Sequence, residues 1–225
     1  MTPSARILAT LEILHNLDIS PVPMDTTIGD YMRARRYIGA KDRADIVERV
    51  YSIVRHHARL QWALESIKAN ITDRTRVLAH LKMVERQVRP ETLFGEAKFS
   101  APVLSEDELH VLKSLPQDFS AAPAAVTCEC PPQCNDTLKS FFGESFEHEM
   151  LALTHGATLD LRVNTTQTTR DVVQSSLAEE GIETDITPYS PWGLRARGKA
   201  FLSKTKAFSK GQIEIQDEGS QLIAL

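Results

Sequence analysis

The chain has 225 residues, of which 42% are hydrophobic and 25% are charged, and its formal net charge is −4. These proportions are typical of a globular protein of one or two domains and exclude a disordered or fibrous chain. Three cysteines are too few for a disulfide framework, and no apolar run approaches the ~20 residues of a membrane helix, so we expect a cytoplasmic protein without a membrane partner.

The charges are distributed unevenly along the chain. Residues 33–89 contain 14 Lys or Arg against 6 Asp or Glu, whereas residues 91–157 contain 3 against 11. A basic block followed by an acidic one indicates a polyanionic partner such as RNA, because guanidinium groups match phosphate oxygens. A solvated helix surface explains the same count equally well. The candidate RNA-binding residues of the basic block are Arg33, Arg35, Arg36, Arg43 and Arg55.

Apolar residues recur at helical spacing through the first two thirds of the chain. Pro3 falls in the first turn of the first predicted helix, and Ser105 with Glu108 forms a capping box before a later one. The predicted helices span residues 3–17, 26–38, 42–70 with a bend near His57, 73–86, 105–115, 132–142 and 146–155.

The last third of the chain changes to short pieces in which apolar and polar residues alternate. A period of two predicts half-buried strands, here near residues 159–164, 194–197 and 212–216. A helix pattern at 169–180, closed by Gly181, separates the first two strands. The sequence therefore predicts a small α+β unit with one apolar and one polar sheet face.

Four side chains on the predicted polar face are further candidates for RNA contact: Arg162, Asn164, Arg195 and Arg197. No aromatic residue lies on these strands, so stacking of bases is not expected there. As surface residues, Arg162 and Arg195 are each expected to change stability by less than about 1 kcal/mol when replaced by alanine.

The predicted elements give an α+β protein with a large helical domain and a small α+β domain. Residues 1–120 form an all-helical domain, 121–157 a linker with connecting helices, and 158–225 the small α+β domain. The stretch from Pro116 to Pro132 is rich in Pro, Ala and Ser, so we expect proteases to cut there first.

Other motifs carry less weight. Cys128, Cys130 and Cys134 form C-x-C-x3-C, which lacks the four ligands and the spacing of a structural zinc site, so no metal is expected. His56 and His57 stand near no nucleophile motif, so no catalytic residue is assigned. The sequence contains no P-loop and no G-x-G-x-x-G, so no cofactor-binding residue is assigned either.

Two sets of motifs resemble known families. D-L-R-V-N at residues 160–164, S-P-x-G-L-R at 190–195 and Q-D-x-x-S-Q-L at 216–222 together resemble the segment before the catalytic domain of Fmu/Sun-type RNA 5-methylcytosine methyltransferases. Residues 41–43 and 50–55, K-D-R and V-Y-S-I-V-R, resemble a helix of NusB-like domains, which the same family carries at its N-terminus. Ser52 stands where that helix usually has glycine.

The resemblance implies a NusB-like helical domain followed by a small RRM-like α+β domain. It implies that the parent enzyme transfers a methyl group from S-adenosylmethionine to C5 of a cytosine in ribosomal RNA, using cysteines of a domain that follows. This chain is expected to stop before that domain, to bind no cofactor, and to have RNA and its own C-terminal methyltransferase domain as partners, with no DNA.

Two other functions remain open on the sequence. One is a free-standing NusB-like RNA-binding factor in transcription antitermination, which the additional α+β domain disfavours. The other is a protein–protein adaptor that uses the acidic residues 91–157.

Overall fold

The structure of the chain is a computed structural model that describes residues 1–198 and 200–223. Its contacts divide it into two compact units, Met1–Thr154 and His155–Leu225. The first is helical and the second contains a four-stranded sheet, so the predicted α+β class is confirmed. The apolar residues that end the sequence, 222–225, include Ala224 and Leu225, which lie outside the described residues.

The helices of the first unit follow the predicted spacing. The first helix begins after Thr2, whose side-chain oxygen accepts the amide of Ala5 at 3.1 Å. The predicted long helix is two helices, because His56 leaves the helical conformation with φ −100° and ψ 24°. The helices are α1 (Pro3–Ile19), α2 (Met24–Ala34), α3 (Ala40–Arg55), α4 (His57–Ser66), α5 (Asp73–Met83), α6 (Glu106–Ser114), α7 (Ala124–Thr127), α8 (Asn135–Phe142) and α9 (Phe146–Thr154).

The core of the first unit lies between α1, α3, α4 and α5. Ile13, Ile46, Leu64 and Leu78, one from each helix, are fully buried. Burying one such side chain stabilises a fold by roughly 1.5–3 kcal/mol. The apolar stripes that predicted these helices are therefore the surfaces that pack together.

Residues 121–154, which the sequence predicts to be a linker with connecting helices, group with the first unit. The nearly buried carboxylate of Glu129 accepts hydrogen bonds from the amides of Ala58 at 2.7 Å and Arg59 at 3.2 Å, in the first turn of α4. It also accepts Nε of Arg59 at 2.8 Å. Amides at a helix start lack helical partners and favour an anion, so these bonds fasten the segment around Glu129 to α4.

The second unit has the element order β-α-β-β-α-β followed by a short helix. Its four strands are antiparallel and lie in the order β2-β3-β1-β4. The strand β2 was not predicted, because Thr184, Asp185 and Ile186 do not alternate between apolar and polar residues. The elements are β1 (Asp160–Val163), α10 (Arg170–Glu179), β2 (Thr184–Ile186), β3 (Gly193–Ala196), α11 (Lys206–Ser209), β4 (Ile213–Ile215) and α12 (Glu218–Leu222).

One face of this sheet forms the core of the second unit. Leu161 and Leu194 are fully buried and pack with Val173 and Leu177 of α10. Gly181, with φ 79°, ends α10 as the sequence predicts. The opposite face is left for polar side chains.

The described residues, 1–198 and 200–223, contain no helix that is long and apolar enough to cross a membrane. Within the same ranges, no three His, Cys, Asp or Glu side chains are placed to hold a metal ion together.

Candidate functional site

The register of the sheet brings charged side chains to one face of the second unit. Asp160 of β1 lies opposite Arg195 of β3, and Arg162 of β1 lies opposite Glu214 of β4. Opposite residues of antiparallel strands point to the same side, so these four side chains share a face. We call this the polar face, and it holds Arg162 and Arg195 together as the alternation predicts.

Arg195 pairs with two buried carboxylates. Its Nε and Nη2 donate to the two oxygens of Asp160 at 2.7 and 2.8 Å. The side chain of Asp160 is 0% exposed, whereas that of Arg195 is 35% exposed. Nη2 of Arg195 also lies 3.5 Å from Oε2 of the nearly buried Glu218. The guanidinium group therefore compensates buried negative charge on both sides.

Glu218 fixes the loop that precedes β3. Its Oε1 accepts the amides of Tyr189 at 2.6 Å and Ser190 at 2.8 Å. The hydroxyl of Ser190 donates to Oε1 of Gln221 at 2.7 Å, and Nε2 of Gln221 donates to the carbonyl of Gln216 at 2.9 Å. Every one of these bonds joins the loop or the residue after β4 to α12, so the short helix has a defined position.

The three sequence motifs of the second unit meet in this set of bonds. Asp160 comes from the first motif, Ser190 and Arg195 from the second, and Glu218 and Gln221 from the third. We call these five residues the motif network. Only Arg195 among them was predicted as a site residue, because a sequence does not tell which polar residues are buried. The available signal was that four of the five are defining letters of a motif.

The motif network keeps its carboxyl groups ionised. The guanidinium group of Arg195 lowers the pKa of Asp160. Burial raises the pKa of Glu218, but the amides of Ser190 and Tyr189 outweigh that effect and the net pKa is lowered. Because Arg195 already faces two negative groups, it offers little free positive charge to a ligand.

The other candidates on the polar face differ in how firmly they are held. Arg162 donates to the exposed Glu214 at 2.5 Å. Asn164 donates to the carbonyl of Gly211 at 3.1 Å and so joins the end of β1 to the segment before β4. Exposed ion pairs contribute about 0–1 kcal/mol, so Arg162 is free to exchange its partner for a phosphate, whereas Asn164 has a structural bond.

Arg197 lies just after β3 and is 57% exposed. It pairs with Asp185, which accepts Nη2 at 2.6 Å, and with Glu183, which accepts Nη1 at 3.0 Å. Both partners are themselves exposed. Arg197 therefore stays an accessible candidate for RNA contact, in addition to Arg162.

The candidate arginines of the first unit do not form a single patch. Arg43 and Arg55 lie near opposite ends of α3, about 18 Å apart along a helix that rises 1.5 Å per residue. Nε of Arg43 donates to the carbonyl of Ile38 at 2.8 Å, and Arg55 pairs with Glu48 at 2.7 Å. Arg43 therefore acts as a structural donor at the turn before α3.

Arg33, Arg35 and Arg36 lie together where α2 ends. The 70% exposed Arg33 pairs with Asp30, and Arg35 pairs with Glu12 at 3.0 Å. The side chain of Arg36 is exposed and has no hydrogen bond or ion pair to any described residue. Of the three, Arg36 presents the least compensated charge.

Two of the histidines contact Ser52, and two of the three cysteines are buried. Ser52 Oγ lies 2.8 Å from Nε2 of the buried His80, and burial lowers the pKa of that histidine to about 4. Nδ1 of His56 lies 2.7 Å from the carbonyl of Ser52. Cys128 and Cys130 are buried, and burial raises the pKa of both thiols, which disfavours the reactive thiolate.

A four-stranded antiparallel sheet in the order β2-β3-β1-β4, built from a β-α-β-β-α-β chain, defines the second unit as a ferredoxin-like domain. In sequence, residues 134–200 match the family model of the RsmF/B-like methyltransferase ferredoxin-like domain. This match confirms, for that part of the chain, the resemblance to Fmu/Sun-type methyltransferases. No curated protein sequence matches the chain.

Among solved structures, the chain resembles the crystal structure of PH0851 with a TM-score of 0.58 and 15% sequence identity. The match covers 98% of this chain and 54% of PH0851, so the chain spans about half the length of that protein. The TM-score establishes a shared fold, and nothing further is inferred from a sequence identity of 15%. The NusB-like assignment of the helical unit stays a prediction.

Proposed function

We propose that this chain is the RNA-recognition region of an S-adenosylmethionine-dependent ribosomal RNA (cytosine-5) methyltransferase of the cytoplasm. The observation that carries the proposal is the motif network. Its five residues come from three separate motifs of the Fmu/Sun type, and three of the five, Asp160, Ser190 and Arg195, lie within residues 134–200, which match the RsmF/B-like family model. The network fixes the polar face, from which Arg162 and Arg197 reach solvent.

The two buried carboxylates of the ferredoxin-like unit are not available to S-adenosylmethionine. These carboxylates, Asp160 and Glu218, already accept bonds from Arg195 and from backbone amides, so neither is free to hold the ribose or the amino group of a cofactor. Under the proposal, a methyltransferase domain of the parent protein holds the cofactor. We assign no step of methyl transfer to this chain.

The contribution of this chain is to bind and orient RNA. An ion pair such as Arg162–Glu214 exchanges readily with a phosphate, because its carboxylate is 63% exposed and its guanidinium group also reaches solvent. Arg36 adds an uncompensated positive charge in the first unit. Binding of this kind is expected to be weak and to fall with rising salt, because it releases counterions from the RNA.

The test of RNA binding is a filter-binding titration of this chain with a ribosomal RNA fragment at several salt concentrations. In the variant with Arg33, Arg35 and Arg36 all replaced by alanine, the log–log salt slope is expected to fall by roughly 0.7–0.9 for each phosphate that the protein no longer neutralises. Lys139→Ala in α8, outside the basic block, serves as the control. Equal slopes for the triple variant and the control would remove these arginines from the proposal.

The test of the enzymatic assignment uses a longer protein that joins this chain to its methyltransferase domain. Incubated with labelled S-adenosylmethionine and small-subunit ribosomal RNA, it is expected to label a cytosine at C5. Arg162→Ala is expected to lower the rate without lowering the melting temperature. Absence of label, with this chain still binding RNA, would favour the free-standing RNA-binding factor.

A further inference from the structure

A groove in the first unit is lined by aromatic and basic side chains. Its volume is about 630 Å³, and its walls come from α1, from the end of α2 and from the loop before residue 101. Leu8 and Ala9 of α1 contribute apolar surface, and Tyr31 contributes an aromatic ring. The groove could not be predicted from the sequence, because its lining residues, from Met1 to Phe99, lie up to 98 residues apart in the chain.

Two further rings on this groove are unusually exposed for aromatic residues. Tyr37 is 75% exposed and Phe99 is 69% exposed, and both line the groove. The residues that follow them are buried: Ile38 is 2% exposed, and Ala101, two positions after Phe99, is 0% exposed. Each ring is therefore presented to solvent from a turn whose neighbouring residue is fixed in the core.

Hydrogen bonds hold both turns in place. The amide of Gly95 donates to the carbonyl of Ala101 at 2.9 Å, and the amide of Ala101 donates to the hydroxyl of Ser4 at 3.1 Å. The amide of Ile38 donates to the carbonyl of Arg35 at 3.0 Å. Because these bonds fix the two turns before a ligand arrives, binding costs less conformational entropy.

The backbone at Phe99 adds an independent indication. Its φ is 65°, in the left-handed region that non-glycine residues seldom adopt. Such conformations cost of order 1–3 kcal/mol and persist mainly where the surrounding structure enforces them, often at binding sites. Here the strained conformation directs a large apolar ring away from the core.

The charges around the groove favour an anionic ligand. Nζ of Lys98 lies 5.1 Å from the centroid of the Phe99 ring and has no ion pair to any described residue. The acidic group of the groove, Glu12, already accepts bonds from the hydroxyl of Tyr31 at 2.7 Å and from Arg35 at 3.0 Å. Lys98 is therefore the lining residue with a free positive charge. Arg36, which precedes Tyr37 in the chain and does not itself line the groove, adds an exposed cation without an ion pair to any described residue.

We propose that this groove binds unpaired bases of single-stranded RNA, one stacked on Tyr37 and one on Phe99, with the adjoining phosphates on Lys98 and Arg36. Exposed rings interleaved with cations are how proteins bind single-stranded nucleic acid, since every base has a stacking face and every linkage has a charge. The proposal deepens the RNA-recognition role above and rests on it for the identity of the polymer.

The experiment titrates the full 225-residue chain with a single-stranded RNA octamer of uridine and adenosine that carries one 2-aminopurine. Stacking is expected to quench the 2-aminopurine fluorescence on binding. Tyr37→Ala and Phe99→Ala are each expected to weaken binding roughly 5- to 150-fold, the range that corresponds to about 1–3 kcal/mol per stacked base. Tyr37→Phe, which keeps the ring, is expected to stay within about twofold of the wild type.

Two controls separate stacking from general effects. Phe141→Ala removes an 80% exposed ring from α8 and is expected to leave affinity unchanged. Phe99→Leu keeps apolar bulk, so its melting temperature should match the wild type while binding still weakens. If binding is intact in both Tyr37→Ala and Phe99→Ala, the groove proposal is wrong, although RNA recognition by this chain stands.

The remaining outcomes distinguish the two proposals. If the octamer does not bind at all, the groove proposal fails, and the proposed function is then judged by methylation of ribosomal RNA by the longer protein. If the octamer binds through Tyr37 and Phe99 but the longer protein methylates no RNA, the groove proposal stands and the enzymatic assignment fails.

Discussion

Arg195 and Asp160 face each other across two neighbouring strands, and the guanidinium group binds both carboxylate oxygens at 2.7 and 2.8 Å. The carboxylate is completely buried, whereas the guanidinium group keeps contact with solvent. A bidentate pair of this kind holds two strands in register as well as compensating a buried charge. It changes what is expected of Arg195, which the sequence places on an ordinary surface.

Arg195→Ala is expected to destabilise the second unit by about 2–3 kcal/mol, somewhat less than the ~3–5 kcal/mol of a fully buried broken pair. Arg162→Ala is the matched control: its side chain is also 35% exposed, but its partner Glu214 is 63% exposed. The control should cost less than about 1 kcal/mol. Denaturant unfolding in a Trp62→Phe background, where Trp192 is the remaining tryptophan, measures both. Equal losses for the two variants would contradict a special role for Asp160.

The motif network also predicts a pH dependence. The folded pKa values of Asp160 and Glu218 are lowered, so the unfolded chain binds protons at a higher pH than the native protein does. The stabilisation is fully present above the unfolded pKa values, about 3.9 for Asp and 4.3 for Glu, and is lost as the pH falls through the folded values.

Asp160→Asn tests this dependence, because the variant cannot titrate at that position. The difference in unfolding free energy between wild type and variant should be largest at neutral pH and should shrink as the pH falls below about 4. Glu214→Gln, a change at an exposed carboxylate of the same face, should show little dependence. A constant difference for Asp160→Asn between pH 7 and pH 3 would contradict the prediction.

Periodicity gave correct information wherever an element was long enough to repeat its pattern. The stripe of α3, with buried Ile46, Val50 and Ile53, and the alternation of β1 are both present in the structure. The bend that the sequence predicts near His57 is present as the break between α3 and α4, where His56 leaves the helical conformation. The strand β2 was missed because its sequence, Thr184-Asp185-Ile186, does not alternate between apolar and polar residues.

The candidate site could be predicted only in part. Alternation placed Arg162 and Arg195 on one face correctly, but the burial of Asp160 and the reach of Glu218 to the Ser190 amide depend on tertiary packing. The exposed ring of Phe99 likewise follows from the anchoring of a loop to α1. Local sequence carries no record of such long-range packing.

Glu129 should control access of proteases to the stretch from Pro116 to Pro132. The wild-type chain is expected to be cut first near residues 155–159, which are irregular and mostly exposed, because Glu129 fastens the earlier stretch to α4. Glu129→Ala removes those bonds and should add a fast cut between Pro116 and Pro132. Glu144→Ala, at an exposed acidic residue, is the control. If the wild-type protein is cut between Pro116 and Pro132 as fast as Glu129→Ala, the bonds of Glu129 do not protect that stretch.

Gly193 should tolerate no side chain, because a Cβ atom there would lie 2.0 Å from Oγ1 of Thr187 and 3.0 Å from its Cβ. Thr187 is buried and cannot move freely, since its amide donates to the carbonyl of Gly193 at 3.2 Å. Gly193→Ala is therefore expected to destabilise the second unit by about 1–3 kcal/mol, as overpacking does. Gly156→Ala, where a Cβ atom would meet no atom within 4 Å, is the control and should be close to neutral.

The cause of that loss can be isolated by a double-mutant cycle. Thr187→Ala removes the hydroxyl that clashes and leaves only the tight 3.0 Å approach, so the double variant with Gly193→Ala should recover part of the stability. Unfolding followed by Trp192 fluorescence, again with Trp62→Phe, gives the four free energies. The double variant is expected to lose less unfolding free energy than the two single variants lose together. Strict additivity would mean that Gly193 is required for some reason other than the side chain of Thr187.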